Sequence, residues 1–453
     1  MLGLRPKAFA WIATAATLAL GALLPASSTA LATNSSAATS ASAPSAHAAS
    51  TPPLGGINIV DLRRGSTPAE ADRAISLAHA MHAHVVRTEL PWAVFEPSGP
   101  GQINAGAQAF TDRLMKDAAA AGIRVIATVD FSPCWASAAP AALLASCVAG
   151  QGSAANGWPP VDPSAYAHFV SYIAQRYGPE LAAIEIWNEP DQSNEQYFGG
   201  PNKAERYTAL LRAAYPAIKA ADPQVAVLGG SFVGSNGNFL RALYAAGAKG
   251  YYDGLAVHFY TLTLAALRAI REVQLANGDH TPLWLSEFGW SSCWPAQKIQ
   301  QEQGCVTPAT QALNLTNMFR SLSRTSYVAA ELVYKLQDSR EEDFGALSSS
   351  GARKPAFKAL SSVFSSPFGR VSPMTLELRR KSGRVVANVA GPVGDYVQLE
   401  AFKGRTLRYR ALFELNRFNQ FALTLPRALG SKGIQVRVYQ LWTGPSKAAQ
   451  KSI

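Results

Sequence analysis

The sequence predicts an α/β protein, a (β/α)8 TIM barrel followed by a small antiparallel β-sandwich domain. Eight short apolar runs alternate with eight helical stretches over about 300 residues, the number and size of a (β/α)8 barrel. After residue 367 the helical stretches cease, and short runs separated by turns follow one another, as in a sandwich. A doubly wound sheet is the competing fold, but no glycine-rich phosphate fingerprint follows the first run.

The barrel strands are predicted where β-branched and aromatic residues form short runs bounded by turn residues. These strands are 56–60, 84–90, 123–130, 183–187, 225–229, 254–260, 283–288 and 331–336. Helix starts are indicated by a capping residue before proline, as in Thr67-Pro68 and Asp162-Pro163, and helix ends by Gly122 and Gly178. The predicted helices are 68–82, 109–121, 163–177, 204–221, 237–247, 262–276, 308–325 and 353–364.

The C-terminal part differs from the barrel in pattern and in charge. Its predicted strands are 374–380, 384–390, 395–402, 405–412, 418–425 and 433–441. Residues 366–453 hold 15 Lys and Arg against 4 Asp and Glu, a net charge of +11 that equals the formal charge of the whole chain. An anionic polymer or an anionic cell surface is therefore a candidate partner of this domain, and a basic face without a ligand is the alternative. Nucleic acid is not expected, because no binding motif is present.

The N-terminus has the pattern of an export signal. Arg5 and Lys7 precede an apolar run, and Ala30-Leu31-Ala32 provides a small-residue cleavage site. An uncleaved membrane anchor is the alternative. We predict a Sec-type signal peptide at 1–32, an Ala/Ser/Pro linker at 33–53, the barrel at 54–366, the sandwich at 367–445 and a tail at 446–453. The mature protein is expected to be secreted or periplasmic, without a stable membrane span, and monomeric.

An exported chain is free to form disulfides. The chain has four cysteines: Cys134 and Cys147 are 13 residues apart, and Cys293 and Cys305 are 12 apart. Two local bridges, Cys134–Cys147 and Cys293–Cys305, are the simplest of the three possible connectivities. The spacing alone leaves a cross-pairing open.

Two motifs at predicted strand ends carry the chemistry. Trp187-Asn188-Glu189-Pro190 ends the fourth strand, and Ser286-Glu287-Phe288-Gly289 ends the seventh, 98 residues later. The carboxyl ends of all strands in such a barrel meet at the face that holds the active site. Two carboxyl groups in one cleft are what glycosidic bond cleavage needs, since one donates a proton and the other attacks.

With these two motifs, the sequence resembles the retaining glycoside hydrolases of clan A, in particular the family-39-like and cellulase-like members that include exported exopolysaccharide glycosidases. The similarity covers roughly residues 55–365. Further matching positions lie along the barrel: Arg87, Trp92, Glu96-Pro97, Trp158-Pro159-Pro160, Arg176-Tyr177-Gly178, the stretch 253–260, and Phe344-Gly345. A barrel followed by a sandwich also fits the family 39 pattern.

The resemblance implies that Glu189 is the general acid/base, that Glu287 is the nucleophile, and that Asn188 binds the substrate 2-hydroxyl. Retention implies carboxyl groups about 5–5.5 Å apart. The expected reaction is hydrolysis of O-glycosidic bonds in a polysaccharide or oligosaccharide by double displacement, with no cofactor and no metal.

The resemblance also implies a polar shell around the two glutamates. Arg87, at the end of the second strand, is expected beside Glu287, where a cation lowers the pKa of a carboxyl group. His258 and Tyr260, on the sixth strand, are expected to complete the shell, with Tyr260 near Glu287. Glu185, four residues before Glu189, is interpreted as structural.

One position departs from the clan pattern. The clan has a tryptophan platform at the end of strand eight, whereas this chain has Tyr334 and no tryptophan in the stretch 333–338. Tyr334, or Trp290 and Trp135 in neighbouring loops, are the candidates to stack on the sugar. Two alternatives share these residues: a non-catalytic carbohydrate-binding barrel protein, and a transglycosylase.

Overall fold

The computed structural model describes residues 53–60, 66–234, 236–293, 305–392, 396–415, 419–440 and 448–453. The predicted signal peptide and nearly all of the predicted linker lie outside the described residues. Among the described helices, none is long and apolar enough to cross a membrane.

The first eight strands close into a parallel barrel, as predicted, in the order β1 to β8 with β8 paired to β1. Their bounds are Leu54–Asn58 (β1), Val85–Glu89 (β2), Arg124–Val129 (β3), Leu181–Ile186 (β4), Ala226–Phe232 (β5), Gly254–His258 (β6), Leu283–Phe288 (β7) and Val328–Val333 (β8). The largest boundary errors are three residues: β5 ends three residues after the predicted 225–229, and β8 begins three residues before the predicted 331–336. Two of the first three residues of β8, Val328-Ala329-Ala330, are alanines, which are depleted in strands. The sequence pattern therefore placed the start of this strand too late.

Helices follow the strands, as predicted. Their bounds are Pro68–Ala80 (α1), Trp92–Phe95 (α2), Ala105–Ala120 (α3), Ala141–Leu144 (α4), Pro163–Tyr177 (α5), Lys203–Ala221 (α6), Asn238–Ala245 (α7), Leu264–Ala276 (α8), Pro308–Leu322 (α9) and Pro355–Ser365 (α10). The short α2 and α4 were not predicted. α3 begins four residues earlier than predicted, because the Asn104 side chain accepts hydrogen bonds from the amides of Gly106 and Ala107.

Two apolar layers hold the barrel together. Inward-facing side chains such as Val85, Ile126, Trp284 and Leu332 fill the inside of the barrel. A larger core packs the outer faces of the strands against the helices. Because the interior is filled, polar side chains that point inward at the carboxyl ends of the strands sit on an apolar floor.

The C-terminal part forms two antiparallel sheets, as predicted for the sandwich. The strands are Thr375–Lys381 (β9), Arg384–Ala390 (β10), Tyr396–Lys403 (β11), Thr406–Glu414 (β12), Gln420–Thr424 (β13), Ile434–Gln440 (β14) and Ala449–Ser452 (β15). One sheet has the order β13-β10-β9 and the other β12-β11-β14-β15. Their facing sides share one apolar core.

Part of the segment predicted as a tail, 446–453, is a strand in the structure. Residues Ala449–Ser452 form β15, which pairs with the edge of β14. Residues Ala449–Ser452 include no β-branched or aromatic residue, so their sequence carries no strand signal, and the pairing comes from the open edge of β14. The domain limits at 366/367 and 445/446 stay predictions.

Both local disulfides are present, Cys134–Cys147 and Cys293–Cys305, with Cα atoms 5.7 and 4.9 Å apart. This answers the connectivity that the spacing left open.

Candidate active site

The end of β4 turns sharply and presents two consecutive polar side chains. Trp187 and Glu189 both have left-handed backbones, with φ of 70° and 46°. Residues other than glycine rarely adopt this conformation, and it is concentrated at functional sites. These two left-handed residues flank Asn188, so the backbone at Asn188 and Glu189 departs from the direction of β4. The Trp187 ring packs into the core.

The end of β7 presents Glu287 through an irregularity in the sheet. His258 of β6 pairs with Glu287, although Ala256 pairs with Trp284, so β7 has one residue more than β6 over this stretch. In a regular strand, Glu287 would face away from the side that Trp284 faces. The extra residue instead returns Glu287 to the interior.

Arg87 of β2 lies at the centre of the polar cluster and is fully buried. Its guanidinium donates to Glu185 Oε1 at 2.6 Å, to Glu287 Oε1 at 2.8 Å, to Asn188 Oδ1 at 2.8 Å and to Asn58 Oδ1 at 3.1 Å. Burial acts to lower the pKa of Arg87, but the carboxylates of Glu185 and Glu287 outweigh it and raise this pKa. One permanent cation therefore serves two carboxylates.

The same contacts orient the two asparagines. Arginine only donates hydrogen bonds, so the atom of Asn188 that faces it is the carbonyl oxygen. The amide nitrogen of Asn188 is then left as a donor. Asn58 donates its own amide to the Ser286 carbonyl at 2.8 Å, which ties β1 to β7.

Glu287 is held at both oxygens. Oε1 accepts from Arg87, and Oε2 accepts from the Tyr260 hydroxyl at 2.9 Å. Burial raises the pKa of Glu287, and the charge of Arg87 and the Tyr260 hydrogen bond oppose this rise. Burial also raises the pKa of Tyr260 well above its ordinary value, so its hydroxyl keeps its proton and donates.

Glu189, unlike Glu287, accepts no hydrogen bond from Arg87. Its carboxyl group accepts a hydrogen bond from Gln192, and its Oε1 lies 2.6 Å from His258 Nδ1. Burial raises the pKa of Glu189 to about 7, against the opposing charge of Arg87 and the hydrogen bond from Gln192. At neutral pH this carboxyl group is thus poised between its acid and base forms.

His258 lies between the two glutamates. Its Nε2 is 3.5 Å from Glu287 Oε1, and the ring is buried. Burial lowers the pKa of His258, which favours the neutral ring. Glu189, His258 and Glu287 each offer one atom within 4.8 Å of the others, so these three groups are also where a cation could bind.

Three aromatic rings form the wall beside Glu287. Tyr334, just after β8, stands edge-on to Tyr260 with ring centroids 6.3 Å apart and to Phe344 at 5.8 Å. The Tyr334 hydroxyl donates to Glu342 at 2.9 Å, and its side chain is half-buried. The structure therefore places Tyr334 next to the polar cluster.

The two tryptophan candidates lie elsewhere. Trp290 is 3% exposed and packs within the core, which does not favour it as a sugar platform, and that role stays a prediction. Trp135 is half-buried, stands edge-on to Trp92 and donates to the Glu96 carbonyl. These contacts of Trp135 lie in the α2 region, and they do not include Glu189 or Glu287.

Several residues of the site were not predicted as part of it, and Glu185 was interpreted as structural although it shares Arg87 with Glu287. Asn58 and Glu185 interrupt apolar runs, which was the available signal, and Thr128 and Ser231 also contact Glu185, at 3.1 and 3.3 Å. Gln192 follows the strand within a loop, and no sequence pattern marked it.

Comparison with known families adds to this geometry. Residues 164–354 match the family model described as glycosyl hydrolase catalytic core. The matched stretch spans β4 to β8 and contains both glutamates. No curated protein matches the chain.

Solved structures with a similar fold are glycoside hydrolases. A family 39 glycoside hydrolase from the gut symbiont Bacteroides cellulosilyticus WH2 superposes with a TM-score of 0.54 at 18% identity, over 83% of this chain and 81% of that chain. The GH39 enzyme from Xanthomonas axonopodis pv. citri gives 0.51 at 16% identity, over 89% and 94%. A monomeric beta-xylosidase from Caulobacter crescentus CB15 gives 0.51 at 14% identity, over 89% and 98%.

At these identities the likeness concerns the fold, and the family match concerns residues 164–354. Together they bear out the resemblance to glycoside hydrolases that the two motifs indicated. The barrel of this protein therefore has the fold of the family 39 enzymes, and its residues 164–354 are similar to the glycosyl hydrolase catalytic core.

Proposed function

We propose that the protein is an exported, retaining glycoside hydrolase that cleaves O-glycosidic bonds of a polysaccharide or oligosaccharide. Glu189 is the general acid/base and Glu287 the nucleophile. The observation that carries this proposal is the unequal environment of two adjacent carboxyl groups, one bound by an arginine and a tyrosine and the other poised near neutral pH.

The distance between the glutamates supports retention. One oxygen of Glu189 lies within 4.8 Å of one oxygen of Glu287. Carboxyl groups about 5–5.5 Å apart leave room for direct attack, whereas inverting enzymes need roughly 6.5–9.5 Å for an intervening water.

The proposed reaction has two steps. In the first, Glu189 gives its proton to the leaving oxygen while a Glu287 oxygen bonds to the anomeric carbon, which releases the leaving alcohol. In the second, Glu189 takes a proton from water, the water oxygen bonds to the anomeric carbon, and Glu287 leaves as a carboxylate. Two displacements restore the starting configuration.

The surrounding side chains have matching roles. The Asn188 amide suits the sugar 2-hydroxyl, because Arg87 holds its carbonyl oxygen on the other side. Arg87 and Tyr260 fix the attacking oxygen of Glu287, and preorganised donors of this kind need no rearrangement during reaction. Tyr334 is the proposed wall for the sugar at the cleavage point.

A hollow of ≈ 280 Å³ lies at the end of β2 and beside the loops that follow β3 and β4, and Phe131 and Tyr197 line it. Neither Glu189 nor Glu287 lines this hollow, but aromatic-lined hollows suit sugar units, which favours a polymer or oligomer as substrate. Export is proposed from the N-terminal pattern, and the two disulfides fit an oxidising compartment.

The decisive experiment assays the protein on a panel of polysaccharides and aryl glycosides, together with Glu287→Gln and Glu189→Gln. We expect Glu287→Gln to lower kcat on the order of 10⁴-fold. Glu189→Gln should lose a similar factor on natural linkages and much less on aryl glycosides, whose leaving groups need little protonation. NMR of the first-formed product should show the anomeric configuration of the substrate.

Glu272→Gln, on the exposed side of α8, is the matched control and should keep full activity. An inverted product would overturn the retaining mechanism. Transfer to a sugar acceptor without release of free sugar would favour the transglycosylase. Ligand binding without turnover, unchanged in both glutamate variants, would favour the non-catalytic carbohydrate-binding protein.

A further inference from the structure

The four-stranded sheet of the sandwich has an outer face that the hydrolytic site does not use. Val397, Leu399 and Ala401 of β11 point into the sandwich core. Since side chains alternate along a strand, Gln398 and Glu400 point the other way, to the outside. Glu400 pairs with Arg437 of β14 on one side and with Arg410 of β12 on the other.

Glu400 is almost completely covered, although it lies on an outer face. It is 2% exposed and accepts hydrogen bonds from Arg410 at 3.0 Å, from Arg437 Nε at 2.9 Å and from the Tyr439 hydroxyl at 3.3 Å. The side chains of Arg410 and Arg437 are 60% and 34% exposed. The carboxylate is therefore beneath the two guanidinium groups, which face the solvent.

This arrangement fixes the two arginines and leaves them with free donors. The Arg437 guanidinium also lies over the rings of Phe402 and Tyr439, 5.2 and 5.8 Å from their centroids. Within the described part of the chain, Nη1 of Arg410 and Nη1 of Arg437 make no hydrogen bond. Donors held in place in advance cost little entropy when they bind a ligand.

The charge of the face is unbalanced. Two arginines share one carboxylate, and the segment 366–453 has 15 basic against 4 acidic residues. Arg410 and Arg437 stand on strands that flank β11, so their Cα atoms are separated by two strand spacings, roughly 10 Å. Planar, fixed guanidinium groups are well suited to carboxylates, which they bind through two parallel hydrogen bonds.

We propose that this outer face, defined by Arg410, Arg437, Glu400, Phe402 and Tyr439, is a binding surface for an anionic polysaccharide. Carboxylates of uronate units dock on the two guanidinium groups, and the neighbouring rings contact the apolar faces of the sugars. An open sheet face accommodates an extended polymer without a groove. The proposal goes beyond the hydrolytic activity and does not depend on it.

The test is affinity electrophoresis of the full chain in gels that contain polygalacturonate or alginate, with xylan as the neutral polymer. We expect retardation in the polyuronate gels only, weakening as NaCl is raised. Arg410→Gln/Arg437→Gln should bind about tenfold more weakly, because two charge-assisted contacts are lost. Phe402→Ala/Tyr439→Ala should also bind more weakly, at unchanged charge.

Arg379→Gln/Arg380→Gln is the matched control, since it removes the same charge from exposed positions on β9. Equal loss of binding in this control would overturn the proposal in favour of nonspecific attraction. So would retardation unaffected by the Arg410 and Arg437 changes, or binding to phosphatidylserine vesicles without binding to either polyuronate. Retained polyuronate binding in Glu287→Gln, together with lost hydrolysis, would separate this surface from the proposed active site.

Discussion

Glu287 in the barrel and Glu400 in the sandwich each accept hydrogen bonds from arginine and from a tyrosine hydroxyl. Both are nearly buried, at 8% and 2% exposure. Yet the pKa of Glu287 is raised by its burial, whereas the pKa of Glu400 is lowered, since there the arginine hydrogen bonds and charges outweigh burial.

The difference lies in the balance of charge around each group. In the barrel, one guanidinium serves both Glu185 and Glu287, and Glu189 adds a third carboxyl group. In the sandwich, two guanidinium groups serve the single carboxylate of Glu400. A shortage of cations lets burial raise the pKa values in the barrel cluster, which keeps a proton available on Glu189, whereas an excess of cations fixes the carboxylate of Glu400 in its charged form.

Among the changes that test this comparison, the largest effect is expected from Arg87→Lys, which keeps the charge of the barrel cluster and removes its geometry. Lysine cannot serve the four acceptors that surround Arg87, so buried carboxylates lose their partners. We expect kcat/KM to fall at least about 100-fold and the free energy of unfolding to fall by about 3–5 kcal/mol. Steady-state kinetics and urea unfolding measure both.

Arg379→Lys, at an exposed position of β9, is the control for that change and should alter neither quantity. Near-normal kinetics in Arg87→Lys would show that Glu287 needs only a positive charge beside it, and not the several hydrogen-bond donors of the guanidinium group.

The second effect concerns pH and Glu189. Its pKa is about 7 in the folded protein against an ordinary 4.5, so the unfolded chain releases this proton first as pH rises. Stability from this group is therefore lost between about pH 4.5 and 7, by on the order of 3 kcal/mol. Glu189→Gln cannot lose a proton, so its unfolding free energy relative to the unmodified protein should increase over this window.

Urea unfolding at several pH values between 4 and 8 measures that difference. The alkaline limb of kcat/KM on natural linkages should also lie near pH 7 in the unmodified protein. A stability difference that stays flat over this range would mean that Glu189 titrates as an ordinary surface carboxyl group.

The smallest effect, with the opposite sign, is expected from Glu400→Gln. The pKa of Glu400 is lowered in the folded protein, so its stabilisation is present above the ordinary pKa of 4.5 and is lost as pH falls through the lowered value. At neutral pH the variant should be less stable by about 1–2 kcal/mol, and the difference should shrink in acid. Hydrolytic activity should not change, and a rise of the difference in acid would contradict this account.

Much of the barrel site could be predicted from strand ends. Arg87, Asn188, Glu189, His258, Tyr260 and Glu287 each stand at the end of an apolar run, and the structure brings these six side chains together. The prediction used one physical rule, that the strands of a parallel barrel end at a common face. The roles assigned to the six residues stay proposals.

Other features depended on irregularities that the pattern does not contain. Strict alternation would turn Glu287 away from the interior, and the extra residue in β7 turns it back. Trp290 follows only three residues later, where the pattern gives no direction, and its ring enters the core. Gln192 reaches Glu189 from a loop, and β15 pairs without any strand signal of its own.

The sequence by itself determined the order of strands and helices and the strand ends that carry the two glutamates, because apolar periodicity and turn residues act over a few neighbouring positions. Only the tertiary structure decided the balance of burial and donors at each carboxyl group, and hence that the pKa of Glu287 is raised whereas that of Glu400 is lowered. Arg87 meets Glu185 and Glu287 across 98 and 200 residues of sequence. A pKa depends on charges within a few ångströms in space, and local sequence patterns do not record those distances.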